Sequence, residues 1–302
     1  MELKEVNMKS GIIGLVGRPN VGKSTLVNSI VGRKVAIVSD KPQTTRNLIQ
    51  GIYNDEDSQI VLMDTPGIHK PNHKLGDYLN KEAYYSIEDV DAIMFLVPAD
   101  EKLGKGDMFI IEKFKQVNKP VILVINKVDK IKKDDLLRII NEYKDVYPFA
   151  DIVPVSALKK DNVDSLIKVI KNYLTDDIKY YEDDYYTNKS TNFMIAEIVR
   201  EKIMQNTHEE VPHSVTCIVE NVEKHNNALE ISVCIIVDRD SLKKIIIGRQ
   251  GSMLKEIGSL ARTDIEELIG KKVFLKLYVK TMSKWRDKMN YLKELGFYDI
   301  DE

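Results

Sequence analysis

The sequence predicts an α/β domain with a mostly parallel sheet, followed by a smaller α+β domain. Three observations lead there. The chain has 302 residues, which suits two domains of about 150 residues each. From residue 11 to about 175, short apolar runs alternate with helical patterns, as they do where helices cover a parallel sheet. After residue 192 the order becomes helix, strand, strand, helix, helix, strand.

Each element has a local reason. Gly11–Val16, Leu48–Tyr53, Gln59–Met63, Ala92–Val97, Val121–Ile125 and Ile152–Val155 are short apolar runs and read as strands. Thr25–Val31 reads as the first helix, and Met108–Val117 and Leu136–Val146 are amphipathic stretches between later strands. Val35 to Asn47 is polar and lacks helical period; loops of that length in a compact domain usually serve function. Residues 177–192 are acidic and tyrosine-rich, and read as a linker that packs by its tyrosines. Beyond them lie a helix (Phe193–Met204), two alternating strands (Ser214–Val222 and Ala228–Val237), a short helix (Ser241–Ile247), a glycine turn, a helix (Met253–Ile269) and a strand (Val273–Val279). The expected division is 1–176, the linker 177–192, 193–283, and a basic tail helix in 284–302, over Lys284 to Leu295.

Composition excludes several classes. The hydrophobic share is 43% and the charged share 30%, the balance of a folded globular chain. Two cysteines, Cys217 and Cys234, exclude a disulfide framework and fit a reducing cytosol. Both sit in apolar runs and read as buried strand residues. No apolar run approaches the roughly 18 residues of a membrane span, and Met1 to Lys9 has no signal-peptide core. The expectation is a cytoplasmic protein. His69 and His73 have the spacing of a helical metal pair, but Pro71 argues against the helix such a pair needs.

Gly17-Arg18-Pro19-Asn20-Val21-Gly22-Lys23-Ser24 matches G-x-x-x-x-G-K-[ST], between a predicted strand and a helix that Thr25 opens. Its glycines let backbone N–H groups turn towards phosphate oxygens, and the helix N-terminus adds partial positive charge. Lys23 would neutralise the β and γ oxygens, and Ser24 would ligate magnesium. Asn126-Lys127-Val128-Asp129 follows the apolar run 121–125. The Asp129 carboxylate can accept from guanine N1–H and the exocyclic amine, a pair adenine lacks. Asn126 can reach the base edge or tie the pocket to the phosphate loop, and the Lys127 stem can cover the purine. Ser156-Ala157 ends another strand, where N–H groups could meet guanine O6.

Asp64-Thr65-Pro66-Gly67 follows the strand at 59–63. Asp64 would hold magnesium through a water, and the Gly67 N–H would bond the γ-phosphate. In Gln43-Thr44-Thr45-Arg46 one threonine should reach magnesium and the γ-phosphate, and Thr45 is favoured over Thr44. The expected magnesium ligands are Ser24, Thr45 and Asp64. Where many GTPases carry a glutamine that orients the attacking water, this chain has Ile68. An aliphatic side chain cannot orient water, so intrinsic hydrolysis should be slow. Asn20 is a candidate ligand for a monovalent cation such as potassium; the alternative is that it braces the loop. The expected catalytic set is Lys23, Thr45 and Asn20.

In the second domain, Gly248-Arg249-Gln250-Gly251 is a G-x-x-G loop between two helices. Such a loop clamps about four nucleotides of backbone. Lys244, Ile246, Ile247, Gly248, Arg249, Gln250, Gly251 and Lys255 are the expected RNA contacts, with Ile246, Ile247, Leu254 and Ile257 flooring the groove. From Arg239 to Lys293 there are 14 basic and 6 acidic residues, although the whole chain carries −2. That local excess favours phosphate contact and salt-sensitive binding.

Gly17–Ser24, the paired threonines, Asp64–Gly67, Asn126–Asp129 and Ser156-Ala157, followed by the helix-strand-strand-helix-GxxG-helix-strand order, resemble the Era family of GTPases. The resemblance covers essentially the whole chain. It implies a phosphate-loop GTPase domain followed by a KH domain of the prokaryotic type, with GTP/GDP and Mg2+ as ligands. It further implies slow hydrolysis of GTP, since the family carries a hydrophobic residue at the position of Ile68. The implied partner is the 3′ region of 16S ribosomal RNA during assembly of the small (30S) subunit, with peripheral contact at the inner face of the cell membrane; a monomer is expected. Two competing expectations are a constitutive RNA-binding protein with a structural nucleotide, and a membrane-associated regulatory GTPase. The γ-phosphate sensors argue against the first, because a static site has no use for them. A GTPase that modifies RNA chemically lacks a nucleophile or a further cofactor site in the sequence.

Overall fold

A computed structural model describes residues 8–42, 44–67, 73–225 and 228–297, with the backbone alone over 82–88. The chain divides into two compact units: Met1–Ala36, Thr45–Lys70 and Leu79–Asn188 form the first, and Ile37–Thr44, Pro71–Tyr78 and Lys189–Glu302 the second.

The first unit contains β1 (Lys9–Val16), α1 (Lys23–Val31), β2 (Ile49–Asn54), β3 (Ser58–Asp64), most of α2 (Lys74–Glu88), β4 (Ala92–Pro98), α3 (Lys105–Phe114), β5 (Val121–Asn126), α4 (Lys133–Lys144), β6 (Asp151–Pro154) and α5 (Val163–Lys171). Six strands lie in the order β2-β3-β1-β4-β5-β6. All neighbours run parallel except β2 and β3, which are antiparallel. β4 and β5 are buried along their whole lengths, as interior strands of a sheet covered on both faces must be. Alternation along β4 sorts its side chains: Ala92, Met94 and Leu96 pack in one core with α1 and α5 residues, while Ile93, Phe95 and Val97 pack in another with Phe114 and Tyr143.

α3 and α4 begin three residues before the apolar stretches that predict them. Their first turns, at Lys105-Gly106-Asp107 and Lys133-Asp134-Asp135, are mostly polar, and carboxylates there suit the helix dipole. The tyrosine-rich segment is integrated into the first unit as far as Asn188. The Ile52 N–H donates to Tyr186 O at 3.0 Å, the Gln59 amide donates to Tyr181 O at 2.8 Å, and the Tyr180 and Tyr181 N–H groups donate back to Gln59 Oε1.

The second unit adds α6 (Thr191–Asn206), α7 (Val211–Ser214), β7 (Val215–His225), β8 (Ala228–Val237), α8 (Asp240–Ile247), α9 (Ser252–Ile269), β9 (Lys272–Thr281) and α10 (Met289–Glu294). Its sheet runs β7-β8-β9, antiparallel then parallel. Ile198, Val199, Ile203, Leu242, Ile246, Ile257, Ala261 and Ile265 pack the helices onto Val233, Ile235 and Val237. The tail is not one helix from Lys284 to Leu295. Lys284 has φ 56°, a 3-10 turn covers Trp285–Asp287, and α10 follows. Burial of Trp285, whose indole donates to Ser214 O at 3.0 Å, forces this break. Cys217 and Cys234 are buried free thiols, and burial pushes the Cys234 thiol up to about 11.

Candidate functional site

The phosphate loop joins β1 to α1. Asn20 (φ 64°) and Gly22 (φ 100°) both have left-handed backbone. Gly22 caps α1 without any side-chain bond, so the first N–H groups of the helix face outward as anion donors. A methyl group at Gly22 would lie 2.3 Å from Asn126 Nδ2, and one at Gly17 would lie 2.5 Å from Leu96 O. The loop is thus pressed against the ends of β4 and β5, where only glycine fits. Lys23 Nζ donates to Gly17 O at 3.1 Å and Arg18 O at 3.2 Å. The Arg18 side chain is held elsewhere, since its guanidinium bonds Asp107 at 2.8 Å and Glu101 at 2.8 Å.

Ser24, Thr45 and Asp64 converge although they come from three separate segments. Ser24 Oγ donates to Asp64 Oδ2 at 2.6 Å and lies 2.9 Å from Thr45 Oγ1, which donates to Asp64 at 3.3 Å. Asp64 Oδ1 is buried and accepts no hydrogen bond among the described residues. Burial pushes the Asp64 carboxyl above its ordinary range against the pull of Lys23, Ser24 and Thr45. Burial likewise brings Lys23 down to about 8, with Asp64 resisting. A cluster of oxygen donors around a carboxylate oxygen without a partner fits Mg2+, a hard cation that takes oxygen ligands.

Thr44 does not join them. Its hydroxyl donates to Lys41 O at 2.7 Å, and its carbonyl accepts from Arg200 within the second unit. Thr65 is a brace: its hydroxyl donates to Leu15 O at 2.7 Å. Gly67 lies against Pro19 of the phosphate loop, where a methyl would be 3.1 Å away. Gln43, Ile68 and His69 fall outside the described residues, and His73 sits 3.2 Å from Asp287.

The segment Asn126–Asp129 is tied in place by Asn126, which is buried. It donates to Val21 O at 2.9 Å and accepts from Ala157 N–H at 3.0 Å. Of the two roles open to Asn126, the structure displays the tie. Asp129 is exposed and accepts from Ser156 Oγ at 2.6 Å through Oδ1, leaving Oδ2 without a hydrogen bond among the described residues. Lys127 (φ 63°) lies 4.0 Å from Asp100, and the Val128 N–H donates to Val155 O at 3.3 Å.

In the second unit the loop between α8 and α9 has left-handed backbone at Gly248, Gln250 and Gly251. Gly251 caps α9 without a side-chain bond, and a methyl there would meet nothing within 4 Å. The Gly248 N–H donates to Lys244 O at 2.9 Å and the Gly251 N–H to Gly248 O at 3.3 Å, so what the loop offers a ligand is an unobstructed approach at Gly251. Lys244, Arg249, Gln250 and Lys255 are exposed around it. Ile246 and Ile257 are not groove residues: both are 0% exposed, because the faces of α8 and α9 that carry them pack on the sheet. Ile247 and Leu254 keep partial exposure.

The groove extends beyond the residues that the sequence singles out. A cleft of about 740 Å³ runs from Gly251 and Lys255 past Gly258 and Arg262, walled opposite by Phe274 and Leu277 of β9. Gly258 admits that wall, since a methyl there would lie 3.3 Å from Leu277. The signal that could have found it is the alternation of lysine and aromatic residues along Lys272–Lys280. Among the described residues no helix is long and apolar enough to cross a membrane.

Comparison with known proteins agrees with both halves. Residues 12–127 match the family described as 50S ribosome-binding GTPase, and residues 210–286 match the KH domain. A crystal structure of an Aquifex aeolicus Era variant bound to GDP·AlF4− is similar at 42% identity and TM-score 0.93, over 97% of this chain and 100% of that one. A structure of Era with MgGDPNP and nucleotides 1506–1542 of 16S ribosomal RNA has the same identity, coverage and score. This chain therefore belongs to the Era family, as a GTPase whose nucleotide domain is followed by a KH domain.

Proposed function

We propose that this GTPase is a switch that binds the 3′ region of small-subunit ribosomal RNA through its KH groove and assists assembly of that subunit. The observation that carries the reading is the convergence of Ser24, Thr45 and Asp64 in a chain that also holds an open G-x-x-G groove. Support for the partner comes from the Era relative seen with 16S ribosomal RNA. The domains proposed are residues 1–176 for the GTPase, 177–192 as the joining segment, 193–283 for the KH domain and 284–302 as the tail.

In this reading the N–H groups of Gly17–Ser24 hold the phosphates, and Lys23 offsets charge on the β and γ oxygens. Ser24, Thr45 and Asp64 would hold magnesium, which neutralises charge developing on the transferred phosphoryl group. Asp129, held by Ser156, accepts from two guanine donors, and Asn126 fixes the distance between base and phosphate loops. Gly67 bonds the γ-phosphate and loses it on hydrolysis. Water attacks the γ-phosphorus, and GTP and water give GDP and phosphate. Ile68 cannot orient that water, so turnover is slow. Asn20 would hold potassium, which would supply positive charge near the phosphates; equal hydrolysis in potassium and sodium would remove that role.

Coupling of the two units is proposed through Thr44 and Thr45. Thr45 belongs to the first unit with Ser24 and Asp64, whereas Thr44 belongs to the second with Arg200. The protein is expected to be a cytoplasmic monomer with peripheral contact at the inner membrane face. Crosslinking to cellular RNA with a non-hydrolysable GTP analogue, followed by sequencing, tests the assignment. Recovery of the 16S 3′ end supports it; recovery of unrelated RNA alone sinks it. Equal RNA affinity with the analogue and with GDP, at fixed salt, refutes the coupling.

A further inference from the structure

The sheet of the second unit packs its helices on one face, and β9 is one of its two edge strands. Strand alternation sends Val273, Leu275, Leu277 and Val279 towards the helices and Lys272, Phe274, Lys276, Tyr278 and Lys280 to the opposite, exposed face. Phe274 is 63% exposed and Tyr278 38%. A lysine flanks each ring on either side along this face of the strand. On β8 the partners of Phe274 and Tyr278 are Glu230 and Cys234, and those of Lys272 and Lys276 are the small residues Ala228 and Ser232.

The cleft beside α9 reaches this face. Its lining includes Phe274, Lys276 and Glu230 from the outer face as well as Val273, Leu275 and Leu277 from the inner one. It therefore wraps over the edge strand β9. The charge on the stripe suits a polyanion. Lys280 has no ion pair among the described residues, Lys272 lies 3.5 Å from Glu266, and Lys276 pairs with Glu230. Glu223 and Glu230, opposite each other across β7 and β8, close the surface on the hairpin side.

We propose that the outer face of β9 is a second contact surface for single-stranded RNA, on which Phe274 and Tyr278 stack bases of the strand that leaves the G-x-x-G groove. Stacking on an aromatic side chain is tolerant of sequence, because every base has a π face. Phe274 and Tyr278 are four residues apart on one face, about 13 Å along the strand, with Lys276 between them to meet the backbone. This surface extends bound length rather than selecting sequence, and it rests on the RNA binding proposed for the groove.

The test uses the full-length protein and two fluorescent pyrimidine-rich RNAs, one of about four nucleotides, the length the loop clamps, and one of about twelve. Tyr278→Ala should weaken the long RNA by about fivefold or more and leave the short one within twofold or so, whereas Phe274→Ala, which also alters the groove wall, should weaken the long RNA more than the short one. Tyr278→Phe should restore the long RNA. GTP hydrolysis without RNA should match the unaltered protein, which reports an intact fold. Equal loss on both RNAs, or no loss on either, overturns the outer-face surface. Gly251→Asp should abolish binding of both; if it leaves both intact, the groove reading itself fails.

Discussion

Asn126 and Gly22 form a brace whose worth a double-mutant cycle can measure. The Asn126 side chain is buried and spans Val21 O at 2.9 Å and Ala157 N at 3.0 Å. Asn126→Ala removes both bonds and strands a carbonyl and an N–H beside the buried residues Val21 and Ala157. At about 1–3 kcal/mol for each unmatched group, the cost is about 2–6 kcal/mol. Gly22→Ala reaches the same brace from the other side. Its φ of 100° costs an alanine about 1–2 kcal/mol, and its Cβ would sit 2.3 Å from Asn126 Nδ2. The carboxamide must swing away and lose its bonds, so the single substitution costs about 3–8 kcal/mol in all. In the double variant the collision is gone and the brace is lost once, not twice. The two costs should fall short of additive by about 2 kcal/mol or more. Urea unfolding of the four proteins, followed by far-UV circular dichroism, reads the difference. Additivity within about 0.5 kcal/mol would show that the two residues are independent and would refute the brace.

Lys23→Ala should abolish tight GTP binding while the far-UV spectrum stays unchanged; retained affinity for a fluorescent GTP analogue would remove Lys23 from the phosphates. Ser156→Ala frees Asp129 from a 2.6 Å bond and should weaken GDP about tenfold, a loss of about 1.4 kcal/mol, measured by the same titration. Burial raises the Asp55 carboxyl, but bonds from Lys171, Ser58 and Tyr53 outweigh it and hold the group well below the usual carboxylate range. Its contribution is therefore present above the unfolded value of about 3.9 and lost as pH falls below it. Asp55→Asn should flatten the acid limb of the unfolding free energy measured between about pH 6 and pH 2. Arg200→Met leaves the partly buried Glu197 without its partner at 2.6 Å and should destabilise by about 3–5 kcal/mol, most of it recovered when Glu197→Leu is added.

The parts of the site that lie within one stretch of chain were legible. Gly17–Ser24, Asp64–Gly67 and Asn126–Asp129 each join a strand end to the turn after it, so spacing alone carries the geometry. Convergence between stretches was not legible to the same degree. The sequence offers both Thr44 and Thr45 and favours Thr45, and it is the fold that turns the Thr45 hydroxyl to Asp64 and the Thr44 hydroxyl to Lys41. Arg18 lies within the phosphate-loop motif, yet Asp107, 89 residues on, takes its guanidinium. Ile246 and Ile257 look like groove residues because a helical stripe does not say which apolar face meets the sheet and which meets a ligand. The far wall of the groove was missed for a related reason: it comes from β9, a strand that precedence in sequence does not place beside the loop. The broken tail follows from Trp285, whose burial beside Ser214 no local periodicity encodes.

Charge is divided within this chain in a way that serves both proposed ligands. Residues 239–293 carry eight more bases than acids, so the remaining residues carry ten more acids than bases. A polyanion approaching the protein is repelled by most of the chain and drawn to the G-x-x-G groove and β9. A nucleotide must then be held against that acidic background by short-range devices. Arg18 is held by Asp107 and Glu101, so in the proposed site the phosphates would depend on N–H groups at the start of α1 and on Lys23. Those act over a few ångströms and in a buried setting, where ionic strength screens little. RNA binding should therefore weaken steeply with salt while nucleotide binding changes slightly. The two ligands can be separated in one titration series, and parallel salt slopes would place them in one electrostatic field and undo the division.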